Sequence, residues 1–276
     1  MKDIIDDLGY FRKGNHLFAF KHDVLKSDGP GEIEFHFKED WFATHDITKE
    51  SPVPLGMQYL WRAKELRNKY DYLILMYSGG SDSHQVLMTF LNNGIHIDEV
   101  ITRFPIKLVH SARTEPPSQN DPYAMIWEYT HAALPGLRKL REMSPRTKIN
   151  IVDISKHFKN FRLNDIEDFT KHATMTGGIY RFIQRRSEVQ ELGDIAASLN
   201  KKVGVIYGAD KPWIVIKENK IYIWYSDSSR SGYSLFSYSP NLNFDPITFF
   251  IGDPNITVKQ AHVVKNVINS SKETRD

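Results

Sequence analysis

Continuous apolar runs alternate with helically spaced apolar residues over most of this chain. The runs lie at 72–77, 97–104, 148–154 and 203–207. Helical spacing is found at 55–69, at 86–91, at 258–268 and after a capping-box sequence at 187–190. Strands that alternate with helices form parallel sheets, so the pattern predicts an α/β fold with a doubly wound, mostly parallel sheet. Its ligand should lie at the carboxyl ends of the strands, near the switch point of the strand order.

A small β-rich unit is predicted before this core. Apolar residues at 17–20 are followed by a Gly-Pro turn at 28–31 and then by alternating apolar and polar residues at 33–38, which predicts a hairpin. Pro52 and Pro54 stop regular structure and place a boundary there. The predicted units are therefore residues 1–53 and an α/β domain at 54–269.

Further elements are predicted inside and after the α/β domain. Apolar residues at 213–216 and 221–225 flank a polar turn and predict a hairpin extension. Asp121 and Pro122 predict the start of a helix, and Pro135 with Gly136 predicts its end. Residues 270–276 are expected to form a frayed tail.

The first apolar run leads directly into the loop Ser78-Gly79-Gly80-Ser81-Asp82-Ser83, and a helical pattern follows the loop. Glycines allow the main chain to approach an anion, serine hydroxyls donate hydrogen bonds, and a helix N-terminus attracts negative charge. The loop therefore predicts a phosphate site. It lacks the Gly-Lys-Ser/Thr ending of a Walker A sequence, so its nucleotide chemistry should be of another kind.

This loop resembles the Ser-Gly-Gly-x-Asp-Ser signature of the N-type PP-loop ATP pyrophosphatases and is closest to asparagine-synthetase-like domains. The resemblance implies a Rossmann-like fold and cleavage of ATP between its α- and β-phosphates. AMP would be placed on a substrate oxygen and then displaced by an amine. Ser78, Ser81 and Ser83 would donate their hydroxyls to the phosphates, while Gly79 and Gly80 would donate backbone N–H groups.

Asp82 predicts a metal ion as well as a nucleotide. An aspartate in a phosphate loop repels the anion unless a divalent cation lies between them, which makes Asp82 a candidate Mg²⁺ ligand and catalytic residue. The alternative is that Asp82 only caps the following helix. The predicted cofactors are therefore ATP and Mg²⁺.

A second candidate segment, Gly208-Ala209-Asp210-Lys211, follows the fourth apolar run. It is similar to the glycine-alanine-aspartate stretch of asparagine-synthetase-like domains, which implies that Gly208 contacts the nucleotide and Asp210 helps to hold the metal. Those domains continue with a glutamate, whereas this chain has Lys211. Lys211 could neutralise the leaving pyrophosphate, and an aspartate-capped turn with a solvated lysine is the alternative.

Residues from three other parts of the chain complete the candidate site. Thr102 and Arg103 end the second apolar run, where related proteins read adenine through the main chain. Arg181 shares a helical face with Arg185, and the pair could clamp a phosphate or a carboxylate or could be a solvated face. His84 directly follows the loop and is a further candidate phosphate ligand.

Composition excludes several classes of chemistry. The chain has no cysteine, so disulfides, thiolate zinc sites and cysteine nucleophiles are impossible within it. A net charge of +2 gives no overall field for nonspecific nucleic-acid binding. The sequence has no basic-apolar leader and no apolar run long enough to span a bilayer, which predicts a cytoplasmic protein without a membrane partner.

The predicted function is that of an ATP pyrophosphatase of the ligase or amidotransferase type, adenylylating a carboxylate or amide oxygen of an acceptor that the sequence does not identify. One alternative is the same chemistry on a nucleic-acid base of tRNA or DNA. Another is an inactive adenine-nucleotide-binding protein, and an adenylyl sulfate reductase is the most distant. Partners left open by the sequence are the acceptor, a separate amine donor or glutaminase, and a second copy in a homodimer.

Overall fold

A three-stranded antiparallel sheet comes first in the computed structural model, which describes residues 9–18, 21–104, 106–107, 127–155, 179–208, 213–217, 220–224 and 243–270. Its strands are β1 (Tyr10–Lys13), β2 (His16–Phe18) and β3 (Ile33–His36), in the order β2-β1-β3. Helix α1 (Lys21–Lys26) lies between β2 and β3, and helix α2 (Glu39–Thr44) follows β3.

The predicted pairing of this N-terminal sheet is wrong. β2 and β3 both pair with β1 and not with each other. The reason is the two-residue connection Gly14-Asn15, in which Gly14 has φ 58° and lets β1 fold back directly on β2. The second edge of β1 is then available to β3.

A five-stranded parallel sheet forms the centre of the α/β part. Its strands are β4 (Tyr72–Met76), β5 (Glu99–Phe104), β6 (Lys148–Asp153), β7 (Val203–Tyr207) and β10 (Phe244–Thr248). Their order is β10-β7-β4-β5-β6, and every pair is parallel. The remaining strands, β8 (Trp213–Lys217) and β9 (Lys220–Trp224), form the predicted antiparallel hairpin.

Helices cover both faces of the parallel sheet, which confirms an α/β, doubly wound, Rossmann-like fold. They are α3 (Leu55–Lys69), α4 (Ser81–Asn92), α5 (Leu134–Met143), α6 (Ile179–Leu199) and α7 (Pro254–Ser270). Side chains alternate across a strand, so Leu73 and Leu75 join the core formed with α3, α4 and α5. Ile74 joins the core formed with Leu192 and Ala196 of α6.

The strand order places a switch point between β4 and β7. From β4 the chain adds β5 and then β6 on one side, and it then crosses to add β7 and β10 on the other. The strand order therefore reverses between the carboxyl ends of β4 and β7, which is the position where open α/β sheets bind ligands. No pattern in the sequence predicts β10, whose apolar run is interrupted by Asp245 and Pro246.

Three helices differ from the predictions in their boundaries, and one of them, α7, predicted at 258–268, spans Pro254–Ser270. The helix predicted to begin at Ser187 is already present at Ile179. Pro135 and Gly136 do not end a helix but lie in the first turn of α5, after a π-helical turn at Tyr129–Ala133. Leu134, the residue before this proline, still donates its N–H to the Tyr129 carbonyl, so α5 continues directly from the π-helical turn. The predicted helix start at Asp121 lies outside the described residues.

The predicted boundary segment is bound to helix α7. Lys259 Nζ donates to Glu50 Oε1 at 2.6 Å and to the Ser51 carbonyl at 2.7 Å. Nε2 of His262 lies 3.0 Å from the Ile47 carbonyl oxygen. The chain before α3 is thereby held against the last helix. In the described part of the chain, no helix has the length and apolar character needed to cross a membrane.

Candidate functional site

The loop Ser78-Gly79-Gly80 connects β4 directly to α4 at the switch point. Gly79 has φ 87°, a conformation that side-chain-bearing residues rarely adopt. A Cβ built on Gly79 would also lie 2.6 Å from the backbone nitrogen of Ala133, in the π-helical turn. Gly79 is therefore required both for the backbone conformation and for contact with the segment that precedes α5.

Internal hydrogen bonds hold this loop in shape. The Gly80 N–H donates to Ser78 Oγ at 3.1 Å, and the Ser78 N–H donates to Ser83 Oγ at 3.2 Å. Ser83 Oγ in turn donates to the Gly80 carbonyl at 3.2 Å. The Ser83 side chain is buried, whereas Ser78 is exposed. The Ser83 hydroxyl and the Gly80 N–H thus shape the loop, and the exposed Ser78 hydroxyl can turn toward a ligand.

The first turn of α4 presents polar groups beside the loop. The first intrahelical hydrogen bond runs from the His84 N–H to the Gly80 carbonyl at 2.9 Å. The N–H groups of Ser81 and Ser83 come before this bond, in the part of a helix where N–H groups have no acceptor within the helix. Ser81 Oγ donates to Asp82 Oδ1 at 3.2 Å. The N-cap is Gly80, so Asp82 is not the capping residue that the alternative interpretation made it.

Helix α3 packs against α4. Burial is the main cause that raises the pKa of Tyr59, and the negative charge of Asp82 adds to it. Tyr59 also accepts a hydrogen bond of 2.9 Å from Gln260 Nε2 of α7. The loop and the Asp82 carboxylate therefore lie beside packed helices that fix their surroundings.

Gly208, at the end of β7, lies against the same turn of α4. A Cβ at this position would be 2.6 Å from both Cα and the backbone nitrogen of Ser83. The structure thus brings Gly208 and the loop 78–83 together. Asp210 and Lys211 lie outside the described residues, and for Arg181 only the helical backbone is described.

Glu128 is a carboxylate beside the loop that sequence reasoning missed. Its Oε1 is 2.9 Å from the position that a Cβ of Gly80 would take. Burial raises the pKa of the Glu128 carboxyl group. Glu128 immediately precedes the π-helical turn, and such turns are frequent at functional sites. No local motif marks this residue, because its approach to the loop depends on the path of the chain before α5.

Tyr77 connects the loop to α5 and to His84. Its buried hydroxyl lies 3.0 Å from His84 Nδ1, and a Cβ on Gly136 would lie 2.0 Å from the hydroxyl oxygen. Burial, together with the charge of Glu128, raises the pKa of Tyr77 to about 12. Tyr77 is thus a neutral partner that orients the imidazole of His84, and Gly136 is required to make room for it.

The side chains of Thr102 and Arg103 are engaged within the protein. Thr102 is fully buried, and its Oγ1 donates to the Tyr77 carbonyl at 2.8 Å. Arg103 pairs with Glu191 and approaches Glu188 Oε2 at 3.8 Å, both on α6. Any contact of these residues with a base therefore has to come from the main chain, which is the mode that the resemblance implies.

Within the ranges that the structure describes, no group of at least three His, Asp or Glu side chains could hold a metal ion. Mg²⁺ in nucleotide sites is usually held by one or two carboxylates together with the phosphates and water. The residues present fit that mode, because both Asp82 and Glu128 lie beside the loop.

Comparisons with known proteins identify no family for the chain. No protein-family model matches it, and no curated protein sequence matches it.

Proposed function

We propose that this chain is an ATP-dependent, AMP-forming enzyme of the PP-loop superfamily. One observation carries the proposal: the loop 78–83 stands at the switch point between β4 and β7, with Gly208 in direct contact with its helical end. In doubly wound sheets this is the place where ligands bind, and a helix N-terminus with small residues suits a phosphate. The match to the Ser-Gly-Gly-x-Asp-Ser signature favours a triphosphate over other anions.

Each described residue has a defined task in this proposal. Backbone N–H groups of Gly79, Ser81 and Ser83, together with the Ser78 hydroxyl, hold the β- and γ-phosphates. Gly79 and Gly208 allow the loop to pack closely on Ala133 and on the end of β7, because a side chain at either position would collide with neighbouring backbone. Asp82 and Glu128 would hold Mg²⁺, which neutralises charge on the pyrophosphate when it is bound.

The chemical step is an in-line displacement at the α-phosphorus. A carboxylate or amide oxygen of the acceptor forms a bond to this phosphorus while the bond to the oxygen that bridges to the β-phosphate breaks. Pyrophosphate leaves and an acyl or imidoyl adenylate remains. An amine then attacks the activated carbon and releases AMP. The protein's contribution is to position the two oxygens in line and to stabilise the leaving charge.

The products of ATP turnover test the proposal. The protein is incubated with ATP labelled in the α-phosphate, Mg²⁺ and a pool of metabolites or tRNA, and the labelled products are separated. The proposal predicts AMP with pyrophosphate, and Asp82→Asn should lower the rate by at least tenfold, since it removes a ligand of the cation. ADP with phosphate would contradict the proposed bond cleavage. Tight ATP binding with no product in any pool would identify a nucleotide-binding protein instead.

A further inference from the structure

A half-buried carboxylate, that of Glu128, stands where the nucleotide phosphates are proposed to bind. Glu128 Oε1 lies 2.9 Å from the position of a Cβ on Gly80, and Ser78 Oγ lies 3.3 Å from the same point. The carboxylate, the Ser78 hydroxyl and the N-cap of α4 therefore border one small volume. The π-helical turn that follows Glu128 also contacts Gly79 through the Ala133 backbone, which fixes this arrangement from both sides of the loop.

This placement is unfavourable for a phosphate alone. The loop from Ser78 to Ser83 contains no lysine or arginine, and among the ion pairs of the described residues none involves Glu128. Two like unit charges about 4 Å apart repel each other by roughly 4 kcal/mol at the effective dielectric constant of a protein surface. A metal-free triphosphate would meet this repulsion on entering the loop.

A divalent cation between the carboxylates and the phosphates would replace this repulsion with attraction to the cation. Asp82, in the first turn of α4, supplies one carboxylate beside the loop, and Glu128, from the turn before α5, supplies another. Two carboxylates with phosphate oxygens and water make up a common Mg²⁺ coordination shell. Burial of Glu128 disfavours its unpaired charge, and a cation relieves that cost.

We propose that Glu128 is the second protein ligand, with Asp82, of the cation that accompanies the nucleotide, and that it makes the site accept metal-bound nucleotide and reject metal-free nucleotide. This inference rests on the proposed function of the loop. It assigns a role to a residue outside every motif of the sequence, and it names the ligand of the site as a magnesium–nucleoside triphosphate complex.

Equilibrium binding of ATP tests the inference without any need for turnover. Titration calorimetry of the whole chain is run with ATP in excess Mg²⁺ and with ATP in EDTA. For the wild type, the ratio of the two dissociation constants should exceed tenfold in favour of the magnesium complex. In Glu128→Gln, magnesium–ATP should bind ten- to a hundredfold more weakly and metal-free ATP more tightly, so the ratio should fall toward one.

A spectroscopic readout and a matched control complete the test. With Mn²⁺ in place of Mg²⁺, the electron paramagnetic resonance spectrum of the ternary complex should change in Glu128→Gln. Glu142→Gln, at an exposed position later on α5, should leave both the ratio and the spectrum unchanged.

The two proposals fail in distinguishable ways. An unaltered ratio and spectrum in Glu128→Gln, alongside wild-type formation of AMP and pyrophosphate, would overturn the inference alone. A wild-type protein that bound neither form of ATP would overturn the proposed function and this inference together.

Discussion

Gly208 and Ser83 lie so close that a single Cβ on Gly208 would stand 2.6 Å from the Ser83 backbone nitrogen and 2.6 Å from its Cα. The contact joins the end of β7 to the first turn of α4 across the switch point of the sheet. It places Gly208, the first residue after β7, beside the loop 78–83. The proposed nucleotide site depends on this contact, because the loop and Gly208 would face the same ligand.

Substitution of Gly208 should therefore affect both stability and nucleotide binding. Gly208→Ala introduces a clash with backbone atoms that cannot rotate away, and we expect a loss of about 1–3 kcal/mol in the free energy of unfolding. ATP affinity should fall at least tenfold, measured by calorimetry. Gly193→Ala is the control, because a Cβ there meets nothing within 4 Å. The control should keep wild-type affinity and gain up to about 1 kcal/mol in stability from helix propensity.

Gly79 and Gly94 separate the cost of backbone conformation from the cost of steric overlap. Both have positive φ, 87° and 63°, but only a Cβ on Gly79 would collide with another residue, Ala133. Gly94→Ala should cost about 1–2 kcal/mol for the left-handed conformation alone. Gly79→Ala should cost more than this in denaturant unfolding and should abolish ATP binding. Equal stability losses in the two variants would show that Ala133 moves away without penalty.

Tyr77 and Gly136 should be energetically coupled. Gly136→Ala places a Cβ 2.0 Å from the Tyr77 hydroxyl oxygen and 2.9 Å from Cζ, so we expect a loss of about 1–3 kcal/mol despite the better helix propensity of alanine. Tyr77→Phe alone should cost about 1 kcal/mol through the lost bond to His84. In the Tyr77→Phe background, Gly136→Ala should cost clearly less, because the nearest atom is gone while Cζ remains. Strict additivity in this double-mutant cycle would contradict the contact.

The attachment of the segment before α3 should depend on pH. Hydrogen bonds from Lys259 and then from Asn266, together with the positive charge of Lys259, lower the pKa of Glu50 below its ordinary value of 4.5. A carboxyl group whose pKa is lowered by folding stabilises the protein above its unfolded pKa and loses this contribution as the pH falls through the folded pKa. Glu50→Gln should therefore unfold at a lower denaturant concentration than the wild type at pH 7.

Below the pKa of Glu50 the two proteins should converge, because wild-type Glu50 is then protonated as well. Lys259→Met removes the principal cause of the shift and should reduce the pH dependence of the difference. A gap between wild type and Glu50→Gln that stays constant from pH 7 to pH 3 would mean that the effect is not due to this carboxylate.

The core of the fold could be predicted from the sequence because three central strands, β4, β5 and β7, are buried on both faces and therefore continuously apolar. Continuous apolar runs predicted β4, β5, β6 and β7, and the position of the loop after β4 predicted where the ligand should lie. β10 was not predicted because Asp245 and Pro246 interrupt its run of apolar residues. It lies at the edge of the sheet, where proline is tolerated because only one neighbouring strand needs hydrogen bonds.

Features that depend on long-range packing could not be predicted in the same way. The Gly14-Asn15 turn is a recognisable hairpin signal, yet a pairing of β3 with β1 and not with β2 has no local signature. The start of α5 resembles a helix end in sequence because it contains proline followed by glycine. The glycine is needed there because of tertiary packing, since Gly136 makes room for the Tyr77 hydroxyl. Glu128 lies beside the loop because of the path of the chain before α5, and no sequence motif or spacing marks it.

A crystal structure of the protein with Mg²⁺ and an ATP analogue that cannot be cleaved between the α- and β-phosphates tests the nucleotide site most directly. We expect triphosphate density against the backbone N–H groups of the loop 78–83, with a cation bound by Asp82. A nucleotide bound elsewhere on the molecule, with the loop closed by its own neighbouring side chains, would contradict it.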